Sequence, residues 1–108
     1  FSKMIPSQIA QTFETQILKS IEDKFLVDRD QLSLLKEESY KSEVDPEIYG
    51  FMILDKKGPM YLVLADLKSD ETLHIRDVRY LGYRSEIKVP FGLILWYNHE
   101  ILYHFLWL

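Results

Sequence analysis

Two short apolar runs separated by a turn-forming pentapeptide constrain this chain more than any other feature. Residues 48–54 read IYGFMIL and residues 60–65 read MYLVLA, with Asp55, Lys56, Lys57, Gly58 and Pro59 between them. Such runs, rich in aliphatic and aromatic side chains and bounded by Gly and Pro, are the pattern of strands joined by a turn. They predict a β-hairpin. Because apolarity is nearly continuous rather than alternating, both faces of these strands are expected to be covered, as in a sheet with helices packed on it.

The flanking segments supply candidates for those helices. Ile9, Phe13, Ile17, Ile21 and Phe25 recur every fourth position, which predicts an amphipathic helix over 6–25 with Pro6 in its first turn. Asp28 or Asp30 is placed to cap a second, shorter helix with Leu32, Leu34 and Leu35 on its apolar side and Lys36, Glu37 and Glu38 on its wet side. Residues 41–47, containing Asp45-Pro46, read as a loop. Asp70 and Glu71 are expected to open a third helix with Ile75, Val78 and Leu81 as a weak stripe. An extended alternative for 73–80 rests on Leu73, Ile75 and the β-branched Val78. Beyond Pro90, residues 91–97 and 101–107 flank Asn98-His99-Glu100 and predict a second hairpin. Residues 1–108 therefore form one α/β domain, with α+β as the alternative, built on about four strands flanked by helices.

Composition narrows the function classes. With 47% apolar and 14% aromatic residues in 108, the chain carries enough apolar surface to fold around one core. It has no cysteine, which excludes a disulfide framework and a thiolate zinc site and leads to the expectation of a cytoplasmic setting. No stretch approaches the ~20 apolar residues of a spanning helix, so no membrane association is expected. Phe1, Ser2 and Lys3 precede Met4 and read as an expression remnant, while the terminal apolar run leaves a continuation past Leu108 open. The net charge of −4 argues against generic polyanion binding. Its distribution matters more: residues 1–50 hold six Lys/Arg against ten Asp/Glu, and residues 51–108 hold seven of each.

Asp66-Leu67-Lys68, at the end of the second strand, is the triplet best suited to chemistry. Residues two apart on a strand share a face, where the carboxylate can contribute to a Mg²⁺ site and the ammonium can orient water or stabilise charge on phosphate. Taken alone, the triplet reads more readily as a polar strand exit. Its surroundings, however, resemble the PD-(D/E)XK nuclease superfamily and in particular the N-terminal nuclease domain of type I restriction endonuclease R subunits. The resemblance rests on KGPMYLVLADLKS (57–69), on RYLGY (79–83) in the position of a Q-x-x-x-Y helix, and on VPFGLI (89–94) with NHEI (98–101) as a closing hairpin. It implies a restriction-endonuclease-like three-layer core with a mixed sheet, and a DNA-binding or DNA-hydrolysing function using Mg²⁺. Asp66 stands where that family has Glu, and Arg79 where it has Gln.

The hairpin register bears on the remaining ligands. If Asp55 and Met60 close the turn, Tyr49 and Gly50 face Asp66, and Asp55 lies roughly 20 Å away at ~3.3 Å per residue, a turn residue and not a ligand. The second acid is then expected from Glu47 or Asp45, should the chain bulge at Asp45-Pro46, with Glu14 or Glu22 as an auxiliary acid or simply a solvated helix face. Two readings follow. In the first, Asp66, Glu47 and Asp45 hold Mg²⁺, Asp66, Lys68 and Glu47 act in phosphodiester hydrolysis, and Arg76, Arg79 and Tyr83 contact DNA. In the second, the chain is an inactive nuclease-fold module for binding or homodimerisation through the aromatic terminal hairpin; a further option, an antiparallel α+β protein unrelated to that superfamily, follows if 73–80 is a strand. His74, His99 and His104 have no ligand-like spacing and read as ordinary histidines.

Overall fold

The computed structural model describes residues 4–41 and 48–86. The amphipathic N-terminal pattern folds as two helices, α1 (Pro6–Thr12) and α2 (Glu14–Phe25), where one was expected. The chain bends at Phe13 (φ −109°, ψ 21°). Hydrogen bonds continue through the bend, from the Phe13 amide to the Ile9 carbonyl at 3.0 Å and from the Ile17 amide to the Phe13 carbonyl at 2.9 Å. Ile9, Ile17 and Ile21 therefore stay on one buried face.

The expected second helix is not formed. Asp28 caps only a single 3₁₀ turn, Arg29–Gln31, by accepting from the Asp30 amide at 3.1 Å. Leu32 and Leu34 then alternate with exposed Ser33 as strand β1 (Leu32–Leu34). Antiparallel pairing of Leu32, Ser33 and Leu34 with Asp55, Leu54 and Ile53 outweighs the leucine content that favoured a helix. A second 3₁₀ turn, Lys36–Glu38, leads into the short strand β2 (Tyr40–Lys41).

The predicted hairpin is present as β3 (Ile48–Asp55) and β4 (Pro59–Leu67). Its turn is closed by the Gly58 amide donating to the Asp55 carbonyl at 2.8 Å and the Lys57 amide donating to Asp55 Oδ1 at 2.8 Å. Asp55 is thus a turn residue, as its position implied. The register differs by one from expectation: Leu54 pairs with Met60, so Ile48 is the partner of Asp66, and Tyr49 faces Ala65. Asp55 is spent on the turn, which moves the first closing pair back by one residue.

The segment expected as a third helix takes its extended alternative as strand β5 (Leu73–Tyr83), antiparallel to β4, so RYLGY (79–83) lies on a strand and not on the helix that the resemblance implied. Asp70 and Glu71 lie in the connecting turn. There Asp70 Oδ1 accepts from the Thr72 amide and hydroxyl at 3.1 and 2.6 Å, and the Lys68 amide donates to the Thr72 carbonyl at 2.8 Å. Two register shifts interrupt the ladder: Ala65 pairs with Ile75 but Leu64 with Asp77, and Tyr61 pairs with Tyr80 but Met60 with Gly82. Arg76 and Leu81 are the unpaired extra residues, as in β-bulges.

The sheet order is β1-β3-β4-β5, with β2 also on β3, and every pairing among the described residues is antiparallel. The chain has α/β content, with both helices packed on a sheet of five strands, close to the four expected, among the described residues. Its antiparallel ladder makes α+β the apt form, and no parallel pairing of a mixed sheet occurs among the described residues. Both helices pack on one face, where Ile9, Ile17 and Ile21 meet Phe51, Ile53 and Val63. The opposite face forms its own cluster of Ile48, Met52, Met60, Leu62 and Leu64. Both faces of β3 and β4 are buried, as continuous apolarity predicted. Among the described residues no helix is long and apolar enough to cross a membrane. The expected terminal hairpin, 91–107, lies outside the described residues, as do Asp45 and Glu47.

Candidate functional site

Asp66 sits at the end of β4 on the face opposite the helices and is 5% exposed. The same alternation that buries Leu62 and Leu64 carries its carboxylate inward, because residues two apart on a strand share a face. Three basic side chains converge on it. Lys68 Nζ donates to Oδ2 at 3.3 Å and Arg76 Nη1 donates to Oδ2 at 3.1 Å. His74 Nδ1 stands 3.5 Å from Oδ1, an oxygen that is buried without a hydrogen-bond partner. The three basic side chains are 53%, 50% and 60% exposed for Lys68, Arg76 and His74, so each reaches from solvent toward one buried anion.

Each arrives by a different device. Lys68 follows Asp66 by two residues along the chain. His74 is the cross-strand partner of Asp66. Arg76 is the extra residue of the first bulge, and the displacement re-aims its guanidinium toward the strand end. Burial pushes the Asp66 carboxyl up, but the hydrogen bonds and charges of Lys68 and Arg76 outweigh burial and hold it below the usual carboxylate range. Asp66 is therefore ionised at neutral pH, with an excess of positive charge around it.

The other expected site residues lie elsewhere. Arg79 is paired with Asp77 through Nε and Oδ2, opposite Leu62 and four positions back along β4 from Asp66. Tyr83 is paired with Pro59, at the far end of β4, and its ring packs on Gly58. Neither belongs to the Asp66 cluster. Glu14 is held by Lys36 at 2.9 Å, so it is not an auxiliary acid at Asp66. Tyr49 and Gly50 do not face Asp66, since Ile48 does. His74, read from sequence as an ordinary histidine, is a member of the cluster. The signal available for it was the extended reading of 73–80, which places His74 across a short turn from Asp66.

Among the described residues no group of three or more His, Asp or Glu side chains is placed to hold a metal ion. A Mg²⁺ site needs several oxygen ligands around the ion. Among the described residues one carboxylate is surrounded by a lysine, an arginine and a histidine, a donor set able to attract an anion, while Asp45 and Glu47, the other expected ligands, lie outside the described residues. The half-exposed ammonium and guanidinium each spend one hydrogen bond on Asp66 and keep further N–H donors for a ligand. Comparisons of the chain with protein-family models, curated proteins and solved structures found no match.

Proposed function

We propose that this chain is an antiparallel α+β module that binds DNA through its phosphate backbone without hydrolysing it. The observation that carries the reading is the convergence of Lys68, His74 and Arg76 on buried Asp66. A buried carboxylate that fixes two cationic side chains pre-orients their remaining donors, which lowers the ordering cost of engaging a phosphate. Arginine adds a planar fork suited to phosphate oxygens. The resemblance of residues 57–69 to nucleases of the PD-(D/E)XK superfamily supports DNA as the polyanion. A cytoplasmic setting, and homodimerisation through residues 91–107, go with the same proposal.

The test is fluorescence anisotropy with a short labelled DNA duplex and its single strand across a salt series. The wild-type protein is expected to bind with an affinity that falls with salt. The Lys68→Ala/Arg76→Ala variant is expected to bind more weakly on every sequence, with a salt slope smaller by about 2, one per lost phosphate contact. Binding and salt slope unchanged in a folded double variant would refute the assignment. DNA cleavage in added Mg²⁺, abolished by Asp66→Asn and by substitution of Glu47 or Asp45, would instead establish the hydrolytic reading.

A further inference from the structure

Strand β5 ends the sheet among the described residues, and three main-chain groups between Leu73 and Val78 are engaged by side chains. Gln16 Nε2 donates to the Leu73 carbonyl at 2.8 Å, and Lys24 Nζ donates to the Val78 carbonyl at 2.5 Å. The Val78 amide donates to Asp77 Oδ1 at 2.9 Å. Gln16 and Lys24 lie eight residues apart on α2, about 12 Å at ~1.5 Å per residue. Leu73 and Val78 are four ladder positions apart once unpaired Arg76 is discounted, about 13 Å at ~3.3 Å each. Helix and strand spacings match, so one face of α2 serves both carbonyls.

The groups satisfied in this way are those an added strand would bond. We infer that Gln16, Lys24 and Asp77 guard the β5 edge against antiparallel pairing with β5 of a second copy of this chain. Self-pairing is the competing state because β5, at 11 residues, is the longest strand among the described residues, and because an antiparallel pair of identical strands is closed by a two-fold axis, giving an isologous interface from a single surface. The inference is independent of DNA binding.

Sedimentation velocity over a concentration series tests it, with hydrogen exchange locating any contact. Gln16 and Lys24 are exposed, so their replacement leaves the core intact. Gln16→Ala/Lys24→Met, and Lys24→Met alone, are expected to self-associate more tightly than wild type, by about tenfold for the double variant, with concentration-dependent protection confined to residues 73–83. Lys24→Arg keeps a donor and is expected to behave as wild type. Unchanged self-association in variants with native circular dichroism, equal association in Lys24→Arg and Lys24→Met, or protection gained only outside 73–83 would each overturn the guard.

Discussion

Asp66 shows how one side chain takes its character from its neighbours. Burial alone would favour the neutral acid, yet Lys68 and Arg76 reverse the balance and leave the folded-state pKa depressed. A depressed carboxyl contributes stability above its unfolded pKa of about 3.9, and this is lost as pH falls through the lower folded value. The acid limb of the stability curve should therefore flatten in Asp66→Asn when chemical denaturation is followed from neutral pH downward. At neutral pH the same variant is expected to lose about 1–2 kcal/mol, since two charge-assisted hydrogen bonds are weakened but their donors remain half in solvent. An acid limb as steep as wild type would show that Asp66 is not the titrating group. That Lys68 and Asp66 share a strand face was legible from their spacing. The roles of His74 and Arg76 were not, because both depend on which strand lies beside β4 and where that strand bulges.

At the scale of elements, β5 explains why a helix was expected where a strand forms. Ile75, Val78 and Leu81 are three apart, a helical interval, and the first bulge produces that interval on one face for Ile75 and Val78, while Leu81 packs against the opposite cluster. With Arg76 unpaired, Ile75 and Val78 both reach the helix-side cluster, whereas unbroken alternation would send them to opposite faces. Local pattern cannot distinguish a helical stripe from a strand with one extra residue. Helix α2 carries a second feature that periodicity did not reveal. It ends at Leu26 in the left-handed region (φ 56°, ψ 43°), with the side chain 88% exposed. Glycine is the usual residue in that conformation, and a side chain there costs about 1–2 kcal/mol. Leu26 buries little in return. Leu26→Gly is expected to stabilise the fold by up to about 1 kcal/mol, offset in part by the greater unfolded-state entropy of glycine. A lower denaturation midpoint for Leu26→Gly would show that Leu26 makes a compensating contact.

The whole molecule rests on β3 and β4, whose side chains are divided between two apolar clusters on opposite faces of one sheet. Phe51 and Leu62 are fully buried in different clusters. Phe51→Ala is expected to cost about 3–5 kcal/mol and Leu62→Ala about 2–5 kcal/mol. Comparable losses by denaturant titration would show that both faces are structural, whereas a negligible cost for Leu62→Ala would show the second face to be dispensable. The sequence by itself determined the β3–β4 hairpin, the burial of both its faces, the amphipathic helical character of the N-terminal segment and the shared face of Asp66 and Lys68. All of these follow from side-chain period and turn chemistry within a few residues. Only the tertiary structure decided that 73–83 is a strand, that Ile48 and not Tyr49 stands opposite Asp66, and that Arg76 and His74 join Lys68 around Asp66. Those outcomes depend on register and on bulges, which are set by contacts between segments and leave no mark in local pattern.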